Sequence, residues 1–226
     1  MVAIYEREDS GAMLSIPVSA RHDAVRSKVL KLCELRTYKR GEIVCREGDR
    51  NAPILILSSG TLGGMADDGR GGSVMVAPFF RGRVFNVMGL SPEGPSFTTL
   101  ALSTANVFVL SHEKGMELKG DIQFEEWCTA CVVSNLSHVI NFAAALRVTD
   151  IDHRIVRMME ACYLQMHERS PEGDYEIEWQ LKQQEFSSLL NITRPYLNER
   201  LKLLKQKGVR VIENERAIVR PSLLPK

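Results

Sequence analysis

The spacing of apolar residues changes along the chain, and each change marks an element. Between Ala20 and Leu35 apolar positions fall at Val25, Val29, Leu30 and Leu32, the repeat of a helix with one buried face. From Tyr38 to about Ser111 the repeat shortens to small β-branched and apolar runs: Glu42–Cys45, Ile54–Leu57, Ser73–Val76, Phe97–Ala101 and Val107–Leu110. Eleven of the sixteen glycines lie between Gly41 and Gly94, so these runs read as short strands joined by tight turns in a sandwich, roll or barrel. The helical period returns over Phe124–Leu146, where Val132, Leu136, Val139, Ala143 and Leu146 step by 4, 3, 4 and 3. That is an a/d seam of about two heptads, and it suits packing on the chain's own β-domain as well as on a second copy. Asp150 and Asp152 offer N-caps for a further helix, Arg154–Met166, with Ile155, Met158, Met159 and Cys162 inward. Ser170–Asp174 reads as a loop.

Two short helices follow. Lys182–Leu190 turns Phe186, Leu189 and Leu190 inward and stops at Asn191, which tolerates the left-handed conformation of a helix end. Thr193 is a good N-cap for the next helix, and Pro195 fits its first turn. Leu197, Leu201 and Leu204 form the inward stripe of that helix, so Arg194, Asn198, Glu199, Lys202 and Lys205 point outward. Gly208 ends it, and Val209–Ile212 and Arg216–Arg220 read as a two-stranded hairpin around Glu213, Asn214 and Glu215. Helix, turn, helix and hairpin make a winged helix-turn-helix, whose second helix enters the major groove of duplex DNA N-terminus first. In that reading Arg194 reaches guanine, Asn198 adenine and Glu199 the cytosine amino group. Thr193, Tyr196, Lys202, Lys205 and the wing's Arg216 contact phosphate.

Charge changes the picture locally. The chain carries 29 Lys+Arg against 28 Asp+Glu, a formal net charge of +1. From Gln180 to Lys226, however, ten basic residues face four acidic ones, a difference of +6 that leaves about −5 for the rest. A basic end on a balanced chain suits a polyanion partner, although on charge alone a solvated basic face is the commoner case. Hydrophobic content of 44% and charged content of 25% are ordinary for a folded domain and exclude disorder as the main state. No uninterrupted apolar run reaches about 20 residues, so no membrane span is expected. Met1–Ser10 lacks the cationic-then-apolar order of a secretory signal. Five scattered cysteines, Cys33, Cys45, Cys128, Cys131 and Cys162, suit a reducing cytoplasm better than a disulfide framework.

These segments together resemble the CRP/FNR superfamily of bacterial transcription regulators. Tyr38–Asp49 (YKRGEIVCREGD) looks like that family's first β-roll hairpin, and Ser59-Gly60 like its next turn. Asp150-Ile151 with Arg154-Ile155 resembles its hinge, and Gln184-Glu185-Phe186 through Thr193-Arg194 to Leu201 its helix-turn-helix. The resemblance covers about residues 20–222. It implies an α+β architecture in three parts: an N-terminal helix and β-roll of the cyclic-nucleotide-binding type over residues 1–121, a dimerisation helix over 122–149, and a winged helix-turn-helix over 150–226. It also implies a cytoplasmic homodimer on double-stranded DNA, with recognition helices roughly 34 Å apart on a near-palindrome. RNA polymerase is a further partner that the resemblance admits; a membrane is not.

The departures from the family are as informative. Its cyclic-nucleotide binders carry Gly-Glu after a Phe, then Arg-Ser or Arg-Thr about ten residues on, for the ribose and the cyclic phosphate. Here Phe85 is followed by Asn86 and Val87, and the later pair is Phe97-Thr98, so only Thr98 keeps a hydroxyl. A phosphate desolvated without a cation is unfavourable, so cyclic AMP is not expected as the ligand. Arg81 and Arg83 of the preceding loop are the cations that could substitute, but at that position they read as surface charges. Val139 and Ile140 stand where a base-binding member has hydroxyls. No cysteine precedes Cys33, Cys128-x-x-Cys131 lies on a helix, and His112, His138 and His153 carry no motif, so no iron–sulfur cluster, haem, metal or other cofactor is expected. Pro195 and Glu199 replace the family's usual Glu and second Arg on the recognition helix, which implies a different operator. No catalytic motif is present, and no enzyme activity is expected. The alternative is a ligand- or thiol-responsive interaction module whose winged helix no longer reads DNA.

Overall fold

The computed structural model describes residues 22–69, 71–90, 93–213 and 216–224. The reading of Met1–Ser10 as no secretory signal and the tip of the wing at Asn214 and Glu215 lie outside them. Helix α1 (Asp23–Leu32) leads into strands β1 (Glu34–Tyr38), β2 (Ile43–Cys45), β3 (Ile54–Ser59), β4 (Leu62–Asp67), β5 (Ser73–Phe79) and β6 (Val84–Phe85). A 3-10 turn, Val87–Leu90, is followed by β7 (Thr98–Ala101), β8 (Ala105–Leu110) and helices α2 (His112–Leu118), α3 (Ile122–Leu146) and α4 (Ile151–His167). Then come β9 (Tyr175–Glu178), α5 (Gln183–Leu189), α6 (Arg194–Gln206), β10 (Arg210–Glu213) and β11 (Arg216–Val219).

The roll is two four-stranded antiparallel sheets, ordered β1-β8-β3-β6 and β2-β7-β4-β5. Strand β3 shows why its sequence is continuously apolar. Leu55 and Leu57 face the core between the sheets with Phe79, Phe85, Val107 and Val109, while Ile54 and Ile56 face α1 and α3 with Phe108, Leu110 and Trp127. Both faces are buried, so the usual alternation disappears. At Gly60 the chain turns between β3 and β4 with φ +85, and a Cβ there would overlap the Thr104 carbonyl oxygen, so only glycine fits.

Several expectations change. Helix α1 ends at Leu32 because Cys33 is extended, and Leu35 sits in β1 opposite Phe108. Strand β4 contains Gly63 and Gly64, which read as turn residues; there the absent side chains make room for Leu102 and Phe97. Helix α4 starts at Ile151 on the N-cap Asp150, whose carboxylate accepts from His153 N. Asp152 is no cap: it is buried and bonds Arg200 of α6 and Lys207 just after that helix. The wing is three strands, ordered β10-β11-β9, because Tyr175–Glu178 pairs with β11.

Helix α3 is capped by Asp121, which accepts from Gln123 N and Phe124 N and pairs with Lys28 of α1 at 2.7 Å. One face of α3, carrying Phe124, Trp127, Cys131, His138, Phe142 and Ala145, is buried. The opposite face carries all five seam residues, Val132, Leu136, Val139, Ala143 and Leu146, and all are exposed, with Leu136 at 57%. Val133 and Ile140 widen that apolar stripe. By length and composition α3 is long and apolar enough to cross a bilayer, which counting uninterrupted runs did not reveal. After it the chain turns at 147–150, and α4 packs beside α3. Met75, Ala77, Phe80 and Leu102 of the roll, Phe142 and Ala145 of α3, and the interior of α4 to β11 form one continuous apolar cluster.

Candidate nucleic-acid interface and ligand pocket

The helix-turn-helix is built from local signals. Glu185 of α5 reaches back to accept from Lys182 N at 2.6 Å, closing the first turn. Asn191 takes φ +54, and the turn closes with Ile192 N donating to Ser187 O at 3.0 Å. Thr193 is the N-cap of α6, its hydroxyl accepting from Tyr196 N, with Pro195 in the first turn. Leu197, Leu201 and Leu204 are buried.

The opposite face of α6 carries the sequence-predicted readers together. Arg194, Asn198, Glu199, Lys202 and Lys205 are exposed, as are Thr193 and Tyr196 near its start. Arg194 stands at the N-terminus and Asn198 one turn later, with Lys202 and Lys205 following towards the C-terminus. Arg216 is exposed on the wing but is paired with Glu176 of β9 at 2.9 Å, so a phosphate would compete with that carboxylate.

The basic count of this region overstates its face. Arg200 bonds Asp152 at 2.8 Å and Lys207 bonds it at 3.3 Å. Arg210 is buried over the Trp179 ring, 5.6 Å from its centroid, and burial lowers its pKa to about 10. Arg220 donates to the Gly208 carbonyl. Four of the ten cations therefore hold the domain together, a use that composition does not distinguish from DNA contact.

In the roll the four predicted pocket positions serve other ends. Asn86 takes φ +64, the left-handed backbone that glycine adopts easily, and its amide donates to Pro53 O at 2.7 Å. Val87 turns into the cluster of α1, α2 and α3, away from the core that holds Phe97. Phe97 lies over Gly64 and stacks on Phe79 at 5.6 Å, which in turn stacks on Phe85 at 4.9 Å. The Thr98 hydroxyl accepts from Glu47 N. An aromatic stack and one engaged hydroxyl do not fit a cyclic phosphate.

Arg83 is the main correction. It is no surface charge but is buried between the roll, α3 and α4, and burial lowers its pKa to about 10 against the pull of Glu168. Nothing in the local sequence marks it, because its partners lie far along the chain. A cleft of about 250 Å³ opens elsewhere, lined by Asn141, Arg157, Leu164, Pro171 and Pro221, and none of the predicted pocket residues lines it. All five cysteines are free thiols. Burial raises every one: Cys33 and Cys128 to about 12, and Cys45, Cys131 and Cys162 likewise upward, which opposes thiolate chemistry. Among the described residues no three His, Cys, Asp or Glu side chains gather as a metal site.

Residues 35–119 match the family of cyclic nucleotide-binding domains. No curated protein matches the chain. Among solved structures, FixK2 from Bradyrhizobium japonicum is similar at a TM-score of 0.68 and 16% identity, over 84% of this chain and 92% of FixK2. CLP from Xanthomonas campestris, a c-di-GMP-responsive global regulator, is similar at 0.61 and 19% identity, over 87% and 98%. A CRP/FNR-family transcriptional regulator from Thermus thermophilus is similar at 0.60 and 14% identity, over 82% and 93%. At these identities the likeness is one of fold. Residues 35–119 are thus similar to cyclic nucleotide-binding domains, and across roll, long helix and winged helix the chain has the fold seen in CRP/FNR-type transcription regulators.

Proposed function

We propose that the protein is a cytoplasmic, homodimeric, sequence-specific transcription regulator that binds a near-palindromic operator without cyclic AMP. Each subunit presents α6 to one half-site, and no enzymatic step is involved. The observation that carries this reading is the exposed row Arg194, Asn198, Lys202 and Lys205 on a helix whose other face is fully packed. Arg194, Asn198 and Glu199 read bases, while Thr193, Tyr196, Lys202, Lys205 and Arg216 hold phosphates. The exposed seam of α3 is covered by the same seam of a second copy, which supports a division into roll (1–121), dimer helix (122–149) and reading domain (150–226). A second copy suits the stripe better than lipid, because the other face of α3 carries polar side chains bonded to the roll, among them Asn135 donating to Val84 O. Regulators of this fold act on transcription, so RNA polymerase is a further partner.

The test is an unbiased DNA selection on purified protein at moderate salt, with and without cyclic AMP. A palindromic motif recovered equally in both arms is expected. No motif in either arm defeats the DNA reading. A motif only with the nucleotide defeats its independence of cyclic AMP.

A further inference from the structure

DNA reading by α6 leaves unexplained a guanidinium buried where three elements meet. Arg83, between β5 and β6, is 1% exposed. It donates to Ser134 Oγ of α3 at 2.9 Å and to the Gln165 carbonyl of α4 at 2.8 Å, and the Glu168 carboxylate lies 3.7 Å away. Glu168 itself sits at φ +58, a conformation unfavourable for a residue with a Cβ, at the point where α4 ends beside Arg83. The Gln165 side chain is buried too; it accepts from Phe80 N at 3.1 Å and donates to Pro78 O at 2.9 Å. The end of α4 is thereby joined to the β5–β6 segment through one side chain's amide and another's guanidinium. The same border continues where Met75 N donates to Ser188 Oγ, the Thr61 hydroxyl donates to the Gln180 amide oxygen, and Arg40 pairs with Glu185.

A buried charge is a poor way to gain stability, since an apolar residue of similar volume often serves as well or better. What a three-way guanidinium adds is direction: its donors fix the mutual placement of the elements they join. Docking on the roll also leaves the reading face free. Helix α5 meets the roll through Glu185 and Ser188, whereas Arg194, Asn198 and Lys202 of α6 remain exposed.

We propose that Arg83 is a positioning residue that clamps the reading domain to its own roll and dimer helix, holding α6 at a fixed place relative to the dimer axis with the roll's interior filled by its own aromatic side chains. The proposal rests on the DNA reading of α6. A domain that is correctly placed only part of the time binds more weakly by that fraction, and the clamp keeps the fraction high. It also fixes the distance between the two recognition helices, and so the half-site spacing the dimer accepts.

The experiment compares wild type with Arg83→Met, which keeps the stem and loses the donors. Glu168→Gly is the second variant: it removes the carboxylate and relieves the left-handed backbone, so it folds even if Arg83→Met does not. Amide hydrogen exchange is followed over 158–168 and 78–85. Affinity is measured for the selected operator and for versions with one or two base pairs added or removed between the half-sites. Both variants are expected to exchange faster in those segments, to lose about tenfold on the best operator, and to discriminate less between spacings. An equal loss at every spacing overturns the proposal and leaves Arg83 a stabilising residue only. Unchanged or tighter binding also overturns it. If wild type selects no DNA, the reading of α6 fails, and the exchange comparison still decides the clamp: wild-type exchange in both variants overturns it.

Discussion

The roll and the winged helix carry equally clear sequence signals with opposite outcomes. On α6 every residue predicted to point outward does so, and the polar side chains stand free for a partner. In the roll the strands and turns are kept, but the four positions that would recognise a nucleotide serve the interior: Phe97 in a stack, Val87 in a second core, Asn86 and Thr98 bonded to backbone. The sheets need only apolar faces and glycine turns, so their architecture does not depend on what fills those four positions. Helix α6 has no such reserve, because the reading proposed for it rests on its exposed side chains.

The sharpest way to break the comparison is to separate two reading heads. Leu136→Asp places a carboxylate at the centre of the exposed seam of α3. Size-exclusion with light scattering should show a monomer, and affinity for the two-half-site operator should fall by about two orders of magnitude or more as bivalency is lost. A variant that stays dimeric moves the interface off this stripe. The roll should report unchanged folding in circular dichroism, since Leu136 touches none of its core.

A second test addresses the filled interior. Phe97→Ala removes a half-buried ring from the stack on Phe79 and leaves Gly64 uncovered. Thermal unfolding should show a loss of about 1–3 kcal/mol, below the range for a fully buried Phe. Millimolar cyclic AMP should leave the melting temperature of both proteins unchanged, since a ligand that binds the native state would raise it. A rise in wild type would mean that the roll retains a phosphate site despite its aromatic interior.

How far the sequence spoke depended on the range of the interaction. Caps, turns and periods are local, so Thr193, Asn191, Gly208 and the seam of α3 were legible from neighbours within a turn or two. Strand β9 was missed because four residues beside a loop carry little period, and its pairing with β11 lies about 40 residues away. Strand β4 was hidden by its glycines, which exist to admit Leu102 and Phe97. Arg83 and Asp152 looked like a surface charge and a helix cap. Their roles depend on Gln165, Glu168, Arg200 and Lys207, which only the folded chain brings near. The charge count failed for the same reason, since composition does not separate a cation that pairs internally from one that meets DNA.

Within the reading face, base and phosphate contacts should separate by their signatures. Arg194→Ala should cost about 1–3 kcal/mol on the preferred operator and relax the preference at one base pair of each half-site. Lys202→Ala should weaken all sequences alike, by a smaller amount, and lower the slope of log affinity against log salt by about one per contact removed. Fluorescence anisotropy over a salt series on matched and substituted operators measures both. A uniform loss from Arg194→Ala would make it a phosphate contact and leave Asn198 and Glu199 to carry the sequence preference.

The smallest effect separates the junction from the reading face by pH. His138 of α3 is buried beside Arg83, and burial together with that guanidinium pushes its pKa down to about 4. In the unfolded chain an imidazole titrates near 6.5, so between about 6.5 and 4 the unfolded state binds more protons than the folded one. Stability therefore falls as pH drops through that window and is fully present above it. From pH 7 to pH 5 the loss from this group should be at most about 2 kcal/mol, seen as a lower melting temperature. His138→Gln, which cannot take up a proton, should lose that part of the pH dependence. Helix α6 carries no histidine, so operator affinity per folded dimer should hardly change over the same range. If affinity instead drops ahead of unfolding, protonation at the junction displaces the reading domain, and roll and winged helix are coupled through α3 rather than merely joined by it.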